Sequence, residues 1–162
     1  EEEAIPSRVA RLSEDMMEFA EEPRAVVILD EDGKPLTAGD TERRFFEASW
    51  MHKYNGKYYM LSSGCTGWDP NVAEIAVADS IMGTWKTIGN PCTGPDADKT
   101  FYAQSTYVQP VIGKKDAYIA MFDRWKKKDL EDSRYVWLPV LVKDGKITIP
   151  WHEKWTLSIF DK

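Results

Sequence analysis

Residues 50–61 read WMHKYNGKYYML, two aromatic-rich runs on either side of Asn55-Gly56. Asn-Gly between such runs is the strongest short hairpin signal, so this stretch predicts strand, turn, strand. The signature returns twice downstream. TYVQPVIGKKDAYIAMF (106–122) turns about Gly113, and YVWLPVLVKDGKITIP (135–150) turns about Asp144-Gly145.

The turns NGKYY and GKKDAYI are alike, and their glycines, Gly56 and Gly113, lie 57 residues apart, close to the length of a four-stranded repeat. Propeller blades fit this period. Between the first two hairpins, AEIAVADS and TWKTIGNP supply two further strands around SIMG, completing one blade over residues 45–92. Residues 101–160 supply the last blade, with WTLSIF as its final strand. Over residues 1–44, SRVARLS and RAVVILD read as one strand each before the turn-rich DEDGKPLTAGD, and MMEFAEEP, which lacks alternation, reads as a helical turn. That segment is half a blade and its connection. The expectation is an all-β chain, one partial propeller domain over 1–162 with about two and a half blades. Propellers close with four to eight, so its sheet edges should be covered, either by a second copy in a homodimer or by a separate N-terminal half.

Composition narrows the partners. The 162 residues are 43% hydrophobic and carry a formal charge of −6, from 21 Lys plus Arg against 27 Asp plus Glu. That balance repels nucleic acid and anionic membranes at long range, and no apolar run approaches the roughly 20 residues that span a bilayer. A neutral ligand is the easier partner. Seven Trp, seven Tyr and six Phe supply flat apolar faces that fill β cores or stack on sugar rings. Cys65 and Cys92 lack metal-ligand spacing and leave two alternatives, small buried residues or one disulfide. His52 and His152 stand in isolated settings, and DEDG at 30–33 lacks the distal glutamate of a calcium loop, so no metal site is expected in this chain.

The acid Glu47 stands in FFEASW (45–50), between two phenylalanines and Trp50. From local sequence it is either a strand-end carboxylate paired with Arg43 or Arg44, or a proton donor kept in apolar company. FFEASWMHKYNGKYYMLSSGCTGWDPN resembles glycoside hydrolase family 43, whose members are five-bladed β-propellers that hydrolyse arabinosides, xylosides and galactosides with inversion. ADSIMGTWKTIGNPC, QSTYVQPV, FDRW and SRYVWLPV follow in the order seen in its exo-β-1,3-galactanase branch. The resemblance covers nearly all of residues 45–160. It implies that Glu47 is the general acid, that Gln104 of QST holds the attacking water, and that Thr66 and Trp68 of CTGW line the sugar pocket, with Asn71 on its rim. It implies an oligosaccharide or polysaccharide substrate and a secreted or periplasmic parent, although this chain begins EEE and shows no signal peptide. No cofactor is required; a calcium ion would sit in the central channel of the intact family fold. The family's catalytic aspartates precede the region matched here.

Inverting hydrolysis needs an acid on the leaving oxygen and a second group about 6.5–9.5 Å away to activate water from the opposite face. One residue cannot do both, and an amide binds water well but is a poor base. Gln104 reads equally as a buried amide bonded to backbone. Trp68, on a turn with Gly67, Asp69 and Pro70, reads as a stacking platform, whereas Trp125, Trp137, Trp151 and Trp155 read as blade core. Arg124 and Arg134 lie in apolar strands and need a partner or ligand; Arg134 is expected to point into the channel and bind substrate.

Overall fold

A computed structural model describes residues 7–36, 47–143 and 145–161. Arg43, Arg44, Phe45, Phe46, Asp144 and the end of DEDGKPLTAGD lie outside the described residues. The chain is mostly β. Strands β1 (Arg8–Val9) and β2 (Arg24–Ala25) form a small antiparallel pair, followed by β3 (Ile28–Leu29). Strands β4 (Glu47–Tyr54), β5 (Lys57–Ser63), β6 (Ala73–Ala78) and β7 (Trp85–Gly89) form one antiparallel meander. After β8 (Cys92–Thr93) comes a second meander of β9 (Gln104–Pro110), β10 (Ala117–Arg124), β11 (Arg134–Lys143) and β12 (Lys146–Pro150).

The three hairpins form where the turn residues predict. Tyr54 pairs with Lys57 across Asn55 (φ 48) and Gly56 (φ 79), the two positive angles that let a two-residue turn follow the twist of its strands. Each meander then gains a fifth, parallel member at its outer edge, giving the orders β3-β7-β6-β5-β4 and β8-β12-β11-β10-β9. This corrects the last-strand reading of WTLSIF: Leu157–Phe160 is a 3-10 turn. The outer edge of β12 is already occupied, since Ile149 N–H donates to the Pro91 carbonyl (2.7 Å) and Trp151 N–H to the Thr93 carbonyl (2.8 Å). MMEFAEEP is likewise no helix. Leu12 bridges Phe19 across a turn, and the Asp15 carboxylate accepts from the Ser13 hydroxyl (2.5 Å) and the Met17 N–H (3.2 Å), bonds that compete with helix formation.

Alternation decides the core. Val136, Leu138 and Val140 point between the two sheets and meet Leu61, Ile75, Val108, Phe122 and Ile149. Their strand neighbours Tyr135 and Trp137 point the other way and are 75% and 50% exposed. A second cluster, Ile28, Met60, Ala76, Ala78 and the fully buried Trp85, covers the opposite face of the first sheet. The tryptophans expected in the core are therefore mostly elsewhere. Trp125 is 42% exposed, Trp155 donates its indole N–H to the Trp137 carbonyl, and Trp151 alone packs against the inter-sheet cluster, its ring 5.2 Å from Phe101. Trp50 turns from Glu47 toward the inter-sheet side, stacked on His52 and edge-on to Tyr107. Both cysteines are free thiols: Cys92 is buried and Cys65 exposed, so of the two alternatives burial holds for Cys92 only.

Candidate functional site

The first strands of the two meanders, β4 and β9, run beside each other, and their entrances bring Glu47 and Gln104 together. Gln104 Nε2 donates to the Ser63 hydroxyl (2.9 Å) and lies 3.4 Å from Glu47 Oε2. The Gln104 Oε1 atom accepts no bond from the described residues. A bulge in β4 between Glu47 and Trp50 aims the carboxylate here, and the bulge residue Ala48 is left-handed (φ 49). That angle is unfavourable for any residue with a Cβ, so Ala48 holds it at a cost that its surroundings must offset. The Ser105 hydroxyl donates to the Ala48 carbonyl (3.0 Å) and fixes the bulge to the neighbouring sheet.

Beyond this pair lies a cavity lined by Ser63, the turn from Gly67 to Asn71, Tyr102, Ala103, Gln104, Asp123 and Trp125. The turn is held from within. Asn71 Nδ2 donates to the Gly64 carbonyl (2.7 Å) and the Thr66 hydroxyl oxygen (2.7 Å), Gly64 N–H donates to Asn71 Oδ1 (2.9 Å), and the Thr66 hydroxyl donates to the Asp69 carbonyl (2.6 Å). Thr66 and Asn71 thus shape the loop that presents Trp68. Trp68 itself is 49% exposed and meets Trp125 edge-on at 5.3 Å.

Asp123 and Trp125 of FDRW also line this cavity, where the sequence pattern puts Trp125 in the blade core. Asp123 pairs directly with Gln104 across β9 and β10, a register that the two hairpin strands fix. Arg124, between them, has found its partner: Nε and Nη2 both donate to the Phe101 carbonyl, at 3.1 and 2.6 Å. Arg134 lies outside the cavity lining, its guanidinium on the Asp132 carboxylate and the Ser133 carbonyl. Among the described residues no three His, Cys, Asp or Glu side chains converge.

No family model matches the chain. It is 50% identical over 112 residues to a β-xylosidase of Xylanibacter ruminicola, an overlap of 69% of this chain and 29% of that one. Among solved structures, a family GH43 β-1,3-galactosidase superposes with a TM-score of 0.81 at 33% identity, over 95% of this chain and 30% of the other. A second GH43 β-1,3-galactosidase, solved with galactodeoxynojirimycin, gives 0.74 at 40% identity, over 93% and 39%. The chain spans about three tenths of the length of the first two proteins. Identity of 50% over 112 residues to the xylosidase, and superposition over nearly the whole chain on the two galactosidases at 33% and 40% identity, establish the relationship: the chain belongs to glycoside hydrolase family 43.

Proposed function

We propose that the chain forms the acid-bearing part of an inverting glycoside hydrolase acting on galactan or arabinoxylan-type polysaccharides, with its two sheets as neighbouring blades of a five-bladed propeller. The observation that carries this reading is the meeting of Glu47 and Gln104, 57 residues apart, at the mouth of a cavity walled by Trp68 and Trp125. Exposed indole faces beside hydrogen-bonding groups suit the alternating apolar and hydroxylated faces of a sugar ring. In this role Glu47 gives its proton to the glycosidic oxygen as the bond to the anomeric carbon breaks, and water adds from the opposite face. Gln104 Nε2, 3.4 Å from Glu47 Oε2, steadies the acid. The attacking water gives its proton to a carboxylate base on the opposite face, supplied by the rest of the propeller. Asp123, next to Gln104 in register, offers an acceptor for sugar hydroxyls.

The contact at 3.4 Å also supports a second reading. Gln104 touches the acid itself, whereas the water-activating group of an inverting pair stands about 6.5–9.5 Å off. By this reading the chain alone binds saccharides without cleaving them, and turnover requires a second copy or a separate N-terminal half on the uncovered face with Tyr107, Tyr135 and Trp137. Solution mass, measured with sugar release from a β-1,3-galactan and an aryl β-xyloside, separates the cases. A monomer is expected to be silent. An assembled form is expected to release the α-anomer first and to lose turnover in Glu47→Gln. Release that persists in Glu47→Gln would remove the acid assignment.

A further inference from the structure

Thr100, Phe101 and Tyr102 follow one another in the left-handed region, at φ 50, 58 and 58, and none is glycine. The region is sterically unfavourable for any residue with a Cβ, and most of all for a β-branched one such as Thr100. Three in a row persist only where the surroundings over-determine them. Here they do. The Thr100 hydroxyl donates to the Asn71 carbonyl (2.7 Å), Phe101 N–H donates to the Asp96 carbonyl (2.9 Å), and Ala103 N–H donates to the Thr100 carbonyl (3.0 Å). The Phe101 carbonyl takes both donors of Arg124. The guanidinium in turn lies 5.7 Å over the Trp151 ring, which packs on Phe101.

The placement of this clamp is specific. Arg124 is absent from the cavity lining, yet its neighbours Asp123 and Trp125 belong to it, as do Tyr102, the last residue of the strained turn, and Ala103 and Gln104 just after it. One guanidinium behind the wall therefore ties the strand that carries Asp123 and Trp125 to the turn that launches Gln104.

We propose that Arg124 is a positioning residue for Gln104: by holding the Phe101 carbonyl it keeps the left-handed turn in the one conformation that sets the Gln104 amide against Ser63 and Glu47. This rests on reading the cavity as the saccharide site, and it assigns Arg124 no contact with substrate. Lysine keeps the charge but offers a compact ammonium in place of a planar fork, so Arg124→Lys separates charge from geometry.

The test is nuclear magnetic resonance of the ¹⁵N-labelled chain, read at the Gln104 side-chain NH₂ pair, which is assigned by its loss in Gln104→Glu. In Arg124→Lys that pair is expected to move toward the position of a free amide. The indole N–H of Trp85, bonded to the Ile81 carbonyl in the other cluster, should stay in place. A folded Arg124→Lys chain with an unmoved Gln104 pair would overturn the proposal. Tyr102→Gly, at an exposed position, relieves one of the three strained angles. In that background Arg124→Lys should fold and displace the Gln104 pair less than it does alone; equal displacement, or a double variant that cannot fold, would reduce Arg124 to general packing. Galactodeoxynojirimycin added to the same wild-type sample tests the saccharide reading separately. Absence of binding there, with the Gln104 displacements as expected, would remove the saccharide assignment and leave the positioning role standing.

Discussion

Phe122 and Trp137 stand on paired strands but on opposite faces of the second sheet, and truncating each in turn measures which face is buried. Phe122 is 0% exposed and pairs with Val136 in the middle of the inter-sheet cluster. Phe122→Ala removes a ring from close packing and leaves a void between the sheets, a loss of about 3–5 kcal/mol. For a chain of this length each kcal/mol moves the melting temperature by about 2–4 °C, so a fall of about 6–20 °C is expected. Trp137, paired with Met121, keeps half its surface in water. Trp137→Ala opens no enclosed void, and only the buried half of the ring contributes, so the cost is about 1–2 kcal/mol. Circular dichroism melts of the two variants at one protein concentration make the comparison. A loss in Trp137→Ala equal to that in Phe122→Ala would refute the assignment of faces and show the aromatic face of Tyr135 and Trp137 to be covered in solution.

Three further outcomes follow from local geometry. Ala48→Gly should keep or slightly raise the melting temperature, whereas Ala48→Val, a β-branched residue at φ 49, should cost about 1–2 kcal/mol; equal melting of the two would show that the bulge does not require a small residue. Iodoacetamide at pH 8 should label the exposed Cys65 and spare Cys92 until the chain unfolds, because burial pushes the Cys92 thiol up to about 12. The unfolded thiol ionises from about 9, so stability is full below that pH and falls as pH rises toward 12; urea melts of wild type and Cys92→Ala should diverge in that window, and parallel curves would contradict it. Trp125→Ala and Asp123→Asn should weaken saccharide binding with the fold intact, read by titration calorimetry, while Arg134→Ala should leave it unchanged.

Local chemistry made much of this molecule readable and long-range pairing hid the rest. Asn55-Gly56, Gly113 and Gly145 announce their hairpins because two or three residues carry the turn geometry. The two-residue strands β3 and β8 carry no periodicity, and each pairs with a strand more than fifty residues away, so nothing near Cys92 announces a sheet edge. Glu47 and Gln104 were legible as separate candidates, but their contact depends on two sheets packing at the right seam. Trp125 resembles a core aromatic in sequence because it stands just beyond β10, and the bulge at Met121/Phe122 shifts the register of β9 against that strand. Arg124 showed that it needed a partner; that partner is a backbone carbonyl 23 residues away in a turn whose left-handed angles, set by three ordinary residues, leave no sequence signal. The resemblance puts Thr66 in the sugar pocket and Asn71 on its rim, and in the structure both side chains bond within the loop that presents Trp68.

The cavity lined by Gln104, Trp68 and Trp125 is the proposed seat of a saccharide. Tryptophan fluorescence of the chain, titrated with β-1,3-galactobiose and with xylobiose, tests it most directly. A saturable change is expected with at least one disaccharide, lost in Trp68→Ala and in Trp125→Ala and retained in Trp137→Ala. A folded wild-type chain that responds to neither sugar, or a response that survives both cavity substitutions, would contradict it.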